Sequence, residues 1–385
     1  MEYKLSDLFD LQMGKTPDRH IPEYWADGTE QWISIADLSK CDKYIEETAE
    51  AISEQAVNDS GIKIIPASTV IMSFKLSIGK VAITPKPMYS NEAIMAFIDK
   101  GVIPIEPTYL YFLLKAKDWD EGTNKAVMGK TLNKATLSQV KVHIHDLAEQ
   151  RKIIRTLEKA ESMVTTRRQQ LTALDTLIKA RFVELFGDSK VNPYGFNKVR
   201  LKDSCEIVTG NTPSRTVDDY YGDYIEWIKT DNIMAEMMYP TRATESLSEV
   251  GLKVGRYVEK GAILMACIAG SVASIGKVCI TDRQVAFNQQ INAIVPKKYN
   301  ALFLYVLLQT SKDYLVEELN MALKGILSKS KLGEKTFILP PMDQQNDFAA
   351  FVAQIDKSKA VVQAAHVIAR NLHSRRQQKC RILNF

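Results

Sequence analysis

Leu5-Ser6-Asp7 followed by Gly14-Lys15-Thr16-Pro17 returns later in the chain as Leu201-Lys202-Asp203 followed by Gly210-Asn211-Thr212-Pro213, an offset of 196 residues from Pro17 to Pro213. Working outward, the match keeps its order. Trp32-Ile33 answers to Trp227-Ile228, and Ser77-Ile78-Gly79-Lys80-Val81 to Ser274-Ile275-Gly276-Lys277-Val278. Asn91 answers to Asn288, Tyr109–Leu114 to Phe303–Leu308, Leu132-Asn133-Lys134 to Leu327-Ser328-Lys329, and Gln150 to Gln345. The offset stays between 193 and 197, so the chain is one unit written twice, a pseudo-two-fold repeat.

Each copy has two parts. The first carries Gly and Pro punctuation and short β-branched runs, which predicts an α+β globular domain. Val70–Ser73 and Lys80–Ile83 read as strands flanking a turn, and Pro107–Ala116 as a short helix opened by proline. Trp32 and Trp227 are expected in the cores, and Gly79 and Gly276 in tight turns. The second part is a long helix. Its apolar positions run Ile153, Leu157, Ala160, Val164, Leu171, Leu174, Ile178 and Phe182 or Leu185, with Arg167 as the polar break. The second copy has Phe351, Ile355, Ser358, Val362, Ala365, Ala369 and Leu372. Steps of three and four make heptad seams that need cover, and two antiparallel helices in an intramolecular coiled coil cover each other most simply. The alternative is that each helix packs on its own globular domain. Phe186-Gly187-Asp188 stops the first helix with glycine. The predicted partition is 1–146, 147–187, 188–341 and 342–385. A helix of about forty residues is roughly 60 Å long, so antiparallel helices would hold two similar domains apart as two separated readers.

Composition is that of an ordinary globular chain: 45% hydrophobic and 25% charged residues. A net charge of +4 conceals 50 Lys and Arg among 46 Asp and Glu, which leaves room for a basic face. Cys41, Cys205, Cys267, Cys279 and Cys380 form no C-x-x-C pair and predict neither a disulfide framework nor a zinc finger. With no basic-then-apolar start, a cytoplasmic setting is expected. Gly261–Ile280 is apolar, but Lys277 and its glycines make it strand, turn and strand rather than a membrane span.

Catalytic motifs are incomplete. Gly129-Lys130-Thr131 and Gly14-Lys15-Thr16 look like the tail of a phosphate loop, yet Asn124 and Phe9 stand where its first glycine belongs. Asn192-Pro193-Tyr194 lacks the second proline of an adenine methyltransferase loop and reads as a linker turn. Pro17-Asp18 is followed by no Asp/Glu-x-Lys within the next forty residues or so. His143-x-His145-Asp146 resembles a pair of metal ligands on a strand, but the second copy has Ile338 and Pro340 there, which favours a solvent-facing edge strand. No metal is expected.

Cationic and amide residues recur in the loop-like stretches. In the first copy these are Lys15, Thr16, Lys75, Lys80, Asn91, Lys130, Asn133 and Lys134. In the second they are Asn211, Thr212, Lys229, Lys277, Asn288, Gln289, Gln290, Lys329 and Lys331. Lys neutralises phosphates, while Asn and Gln pair bidentately with base edges. Gln289, Gln290 and Asn133 are the candidates for base contact, and Lys130 and Lys329 for phosphate anchors. Solvated surface residues and turn formers are the alternative reading of each.

The run Leu174–Asp188, followed by Asn192-Pro193, closely resembles the central region of type I restriction-modification specificity subunits. Leu339-Pro340-Pro341-Met342-Asp343-Gln344-Gln345 resembles that family's Leu-Pro-Pro-x-x-x-Gln lead into a long helix. The first copy departs from it, with His145-Asp146 in place of the prolines. The resemblance covers the whole chain. It implies a non-catalytic, DNA-binding subunit with two target-recognition domains, each reading half of a bipartite, asymmetric target in double-stranded DNA. It further implies two methyltransferase subunits that bind S-adenosylmethionine, a motor-nuclease subunit, and no cofactor in this chain. Arg151, Arg155, Arg167, Arg168, Lys179 and Arg181 on the first long helix would then face a protein partner or DNA, a solvated face being the alternative. Rival readings are a DNA methyltransferase or nuclease with built-in recognition, and a two-headed scaffold that does not bind DNA.

Overall fold

The computed structural model describes residues 1–75, 77–119, 132–269, 271, 274–317 and 325–382, the side chains of 372–382 excepted. The chain divides into two compact units: Met1–Arg167 with Ala365–Phe385, and Arg168–Ala364.

The sequence repeat is a structural repeat. In the first unit the strand Phe9–Met13 pairs with Ile94–Asp99, which pairs with Thr69–Ser73, which pairs with Val81–Thr84, all antiparallel. The second unit builds the same order from Cys205–Thr209, Ile291–Pro296, Ile263–Ala266 and Val278–Ile280. Strand alternation divides each sheet into two buried faces. Val70 and Met72 face a core containing Tyr109, Phe112 and Leu157, whereas Ile71 faces one containing Ile33, Leu38 and Ile45. Ile263 and Met265 against Leu264 and Ala266 repeat the division. Burial of both faces explains why the strands Ile263–Ala266 and Val278–Ile280 are apolar throughout. No helix among the described residues is long and apolar enough to cross a membrane.

A smaller sheet lies in each unit. Glu30–Ile33 pairs antiparallel with Glu50–Ile52 and parallel with Tyr89–Ser90. Ile225–Ile228 pairs likewise with Ser246–Leu247 and Val285–Phe287. The first strand of each unit closes on the strand just before the long helix, Glu2–Lys4 on Lys141–His143 and Lys198–Arg200 on Thr336–Ile338. The predicted helix Pro107–Ala116 forms over those residues, with Ala301–Thr310 as its copy.

The first long helix runs Leu147–Phe186 and the second Met342–Ile382. Gly187, at φ 71°, ends the first as expected. Both packing expectations hold at once in the second unit. Ile178, Phe182 and Phe186 of the first helix and Phe348 and Val352 of the second enter one core with Phe303. The helices run antiparallel there: the rings of Phe182 and Phe348 lie 5.5 Å apart, and the Lys359 ammonium meets Asp175 at 2.7 Å. The steps of four from 178 to 186 bury Phe186 and leave Leu185 exposed, so the heptad frame gives way to an ordinary helix face at this end. Ser358 is exposed although the seam predicted it inward. In the first unit Ile153, Ile154 and Leu157 pack against the domain core, and Val164, Thr165 and Arg370 line one cavity.

Gln150 and Gln345 explain the sequence signature at the start of each long helix. Both are fully buried, at 0% and 1% exposure. Gln345 accepts from the Asn300 amide at 2.9 Å and donates to the Pro340 carbonyl at 2.8 Å. Gln150 accepts from the Glu106 amide at 3.0 Å and donates to the Pro104 and His145 carbonyls at 3.0 and 2.9 Å. Each glutamine bolts a long helix to the start of the short one. Gln345→Leu strands two buried backbone groups and should cost about 2–6 kcal/mol, at about 1–3 kcal/mol for each unsatisfied group. Urea unfolding of the full chain checks it; a loss below about 0.5 kcal/mol would mean that neither group depends on the side chain.

A candidate nucleic-acid interface built twice

After its edge strand, each unit lays a Gly-x-Thr-Pro loop across a turn. The Lys15 amide donates to the Ser90 carbonyl at 2.8 Å, and Asn211 repeats this to Phe287 at 3.2 Å. The buried indoles of Trp32 and Trp227 donate to the Lys15 and Asn211 carbonyls at 3.0 and 3.3 Å, so both tryptophans hold the loops as well as the cores. The Asn91 and Asn288 amides donate to Ile33 and Ile228 at 3.0 Å in each case. A Cβ at Gly14 would overlap the Ser90 and Asn91 carbonyls, and one at Gly210 those of Phe287 and Asn288. Glycine is needed there for this close approach.

The two copies differ in the groups they present. Thr16 donates to the Glu92 carboxylate, whereas Thr212 donates to the Gln289 amide oxygen. Lys15 reaches the Ser60 carbonyl with its ammonium, whereas Asn211 donates from its side chain to the Val254 carbonyl at 2.7 Å. Burial works against ionisation of Glu92, but the Thr16 hydroxyl and its own amide hold it below the usual carboxylate range.

Beside each loop lies an arginine that belongs to none of the sequence motifs above. The Arg19 guanidinium sits 3.7 Å from the ring centroid of Trp25 and 5.0 Å from that of Trp32, paired with Glu50 at 2.9 Å. Arg215 sits 4.5 Å from Tyr221 and 5.1 Å from Trp227, paired with Glu245 at 2.7 Å. The signal was present: Arg19 and Arg215, like Glu50 and Glu245, stand at the offset of the repeat. Each pair holds its carboxylate below the usual range through the arginine or, for Glu245, through Lys229 and then Arg215.

Other predicted residues have structural roles. Asn133 is exposed, and its side-chain oxygen caps the helix Lys134–Ser138 by accepting from the Thr136 amide at 2.8 Å; Ser328 caps Lys329–Glu334 in the same place. Asn288 is buried, with its side chain accepting from the Gln290 amide and donating to the Gln290 side chain, both at 3.1 Å. It and Gln290 form the turn on which exposed Gln289 stands. Asn91 accepts from the Ala93 amide at 3.0 Å in the matching turn. Lys229 pairs with Glu245 at 2.9 Å and lies 5.2 Å from the Trp227 ring. Lys75 is half-buried beside Phe74, and Lys80 donates to Ser39 at 2.6 Å. Lys277 is half-buried, and Lys134, Lys329 and Lys331 are exposed. Lys130 lies outside the described residues.

On the first long helix, Arg151 is tied to Glu106 at 3.0 Å and Arg181 to Glu184 at 2.8 Å. Arg155, Arg168 and Lys179 are exposed, and Arg167 is half-buried and engaged. The expectation of a solvent-facing edge strand fails for His145. The strand ends at His143, and His145 is half-buried with Nδ1 2.7 Å from the Tyr109 hydroxyl. Burial and His143 push its pKa down. Among the described residues no three His, Cys, Asp or Glu side chains cluster as a metal site. Burial lifts the Cys267 and Cys279 thiols to about 12, so neither supplies a thiolate near neutral pH.

The second unit also carries a charged cluster around Glu226. Glu226 accepts from Arg283 at 2.7 and 3.0 Å, from the Ala243 amide at 3.0 Å and from Arg242. Burial raises its pKa, but Arg283, the amide and Arg242 outweigh burial and bring it to about 2 from 4.5. The folded value is depressed, so this stabilisation is present above about pH 4.5 and is lost as pH falls toward about 2. Glu226→Gln should destabilise the chain by about 2 kcal/mol at neutral pH. In denaturant unfolding its difference from wild type should narrow below pH 4.5; a difference independent of pH would refute a charge origin.

Two copies of one α+β domain, each presenting the same loop and turn with different side chains, and two long antiparallel helices define a duplicated recognition protein. The sequence profile of the type I restriction modification DNA specificity domain matches residues 1–175 and 193–364. The chain belongs to that family, the specificity subunits of type I restriction-modification systems. It is 26% identical over 381 residues to the type I restriction enzyme MjaIX specificity subunit of Methanocaldococcus jannaschii, covering 91% of this chain and 85% of the relative. It is 30% identical over 161 residues to the HindI specificity subunit of Haemophilus influenzae, 37% of this chain and 34% of that one. In fold it is similar to the S subunit from M. genitalium, with a TM-score of 0.58, 12% identity, and 99% and 95% of the two chains covered. It is also similar to a chain solved for the complex assembly and conformational transition of the type I R-M system, with a TM-score of 0.59, 16% identity, and 99% and 97% covered.

Proposed function

We infer that each unit reads one half of a bipartite, asymmetric target in double-stranded DNA, and that the long helices set the gap between the halves. The observation that carries this is one loop-and-turn frame built twice with different groups, Thr16 with Glu92 in the first unit and Thr212 with Gln289 in the second. A shared frame suits a shared duplex, and different side chains suit different half-sites. The chain does no chemistry itself. It serves as a scaffold for two methyltransferase subunits, which bind S-adenosylmethionine and methylate adenine, and for a motor-nuclease subunit. Exposed Arg155, Arg168 and Lys179 are offered to such partners.

The test is co-expression with the methyltransferase subunit and mapping of N6-methyladenine in host DNA by long-read sequencing. The expected result is one split motif with a gap of about five to eight base pairs, at about 3.4 Å each. An uninterrupted motif would overturn the two-reader assignment. A chain that neither binds the methyltransferase nor shifts duplex DNA would overturn the reading altogether.

A further inference from the structure

We propose that Arg19 and Arg215 are the phosphate anchors of the two units, each held ready on an aromatic platform by a carboxylate that DNA displaces. The inference rests on the DNA-binding reading above. Both guanidiniums lie over an aromatic pair that includes the loop-holding tryptophan. Both pair with a glutamate from the small sheet's neighbourhood, Glu50 or Glu245. The arginine side chains are 47% and 53% exposed, so each ion pair faces water.

An exposed pair of this kind contributes little to stability. Exchange of the carboxylate for another oxyanion is therefore inexpensive, and the stacked ring keeps the guanidinium oriented throughout. The fork that fits a carboxylate also fits a phosphodiester. The two units carry the same arginine while the groups around it differ, Lys15 and Glu92 against Asn211 and Gln289. A feature common to both units matches what is common to both half-sites, the backbone, rather than a base.

The experiment uses the full chain bound to its methyltransferase subunit, with one duplex bearing the mapped motif and one lacking it. Arg19→Gln and Arg215→Gln should each weaken binding to both duplexes about five- to tenfold near 0.1 M salt, and each should lower the salt slope by about 0.9. Glu50→Gln and Glu245→Gln should leave affinity unchanged or raise it, because the anchor is released. Thermal melting of all four variants should stay close to wild type. If the glutamate variants weaken binding as the arginine variants do, with matching drops in melting temperature, the pairs are braces and the proposal fails. Loss confined to the motif duplex would make these arginines base readers and overturn the phosphate assignment. Failure of the wild-type complex to bind either duplex would overturn the underlying DNA reading instead.

Discussion

Phe182→Ala should destabilise the second unit by about 3–5 kcal/mol. The ring is 1% exposed and lies 5.2, 5.6 and 5.5 Å from those of Phe186, Phe303 and Phe348. These rings come from the first long helix, the short helix Ala301–Thr310 and the second long helix. Truncation opens a cavity where three elements meet, and close-packed surroundings relax only partly into such a gap. Domains are stable by only about 5–15 kcal/mol, so the loss is a large fraction of the total. Hydrogen exchange read by mass spectrometry locates it. Amides in Arg168–Ala364 should lose protection while those of the Thr69–Ser73 sheet keep theirs. Uniform loss across both sheets would show that the units do not unfold separately; a cost under about 1 kcal/mol would show that the cluster is not what seats the helices.

Gly210→Ala should cost about 2–3 kcal/mol and disable the loop it opens. The new methyl has nowhere to go, because its obstacles are the Phe287 and Asn288 backbone carbonyls rather than movable side-chain ends. Relief requires the loop to lift from the turn, which breaks the Asn211 amide bond to Phe287 and separates Thr212 from Gln289. Gly14→Ala should do the same in the first unit. Gly61→Ala is the control: it has a positive φ of 63° but nothing within 4 Å, so only backbone strain of about 1–2 kcal/mol is expected. In modification mapping, Gly210→Ala should relax one half of the motif and Gly14→Ala the other. Loss of both halves from either substitution would contradict separate readers.

Much of this architecture was legible in the chain. A repeat with a nearly constant offset shows that whatever one half builds the other builds too, and Gln150 with Gln345 illustrates how literally this holds. The apolar, β-branched runs Val70–Ser73 and Lys80–Ile83 located the strands Thr69–Ser73 and Val81–Thr84 to within a residue, proline opened the helix Pro107–Ala116, and glycine marked the stop at Gly187. The site was less legible. Asn133, Asn288 and Gln290 have the side chains of base readers, but asparagine and glutamine also cap helices and close turns. Only the neighbours decide between these uses. Arg19 and Arg215 went unnoticed for the converse reason: nothing local marks a guanidinium that will lie on an indole and meet a carboxylate some thirty residues away, as Arg19 meets Glu50 and Arg215 meets Glu245.

By itself, then, the sequence determined duplication, domain class, the positions of the long helices and membership of a family, since these follow from period and order along the chain. The tertiary structure decided which helix faces merge with a domain core, which amides are spent on turns and caps, and which cations stand stacked and exposed. Those outcomes depend on contacts between residues far apart in sequence, and packing and hydrogen-bond satisfaction settle them only once the sheets have brought those residues together.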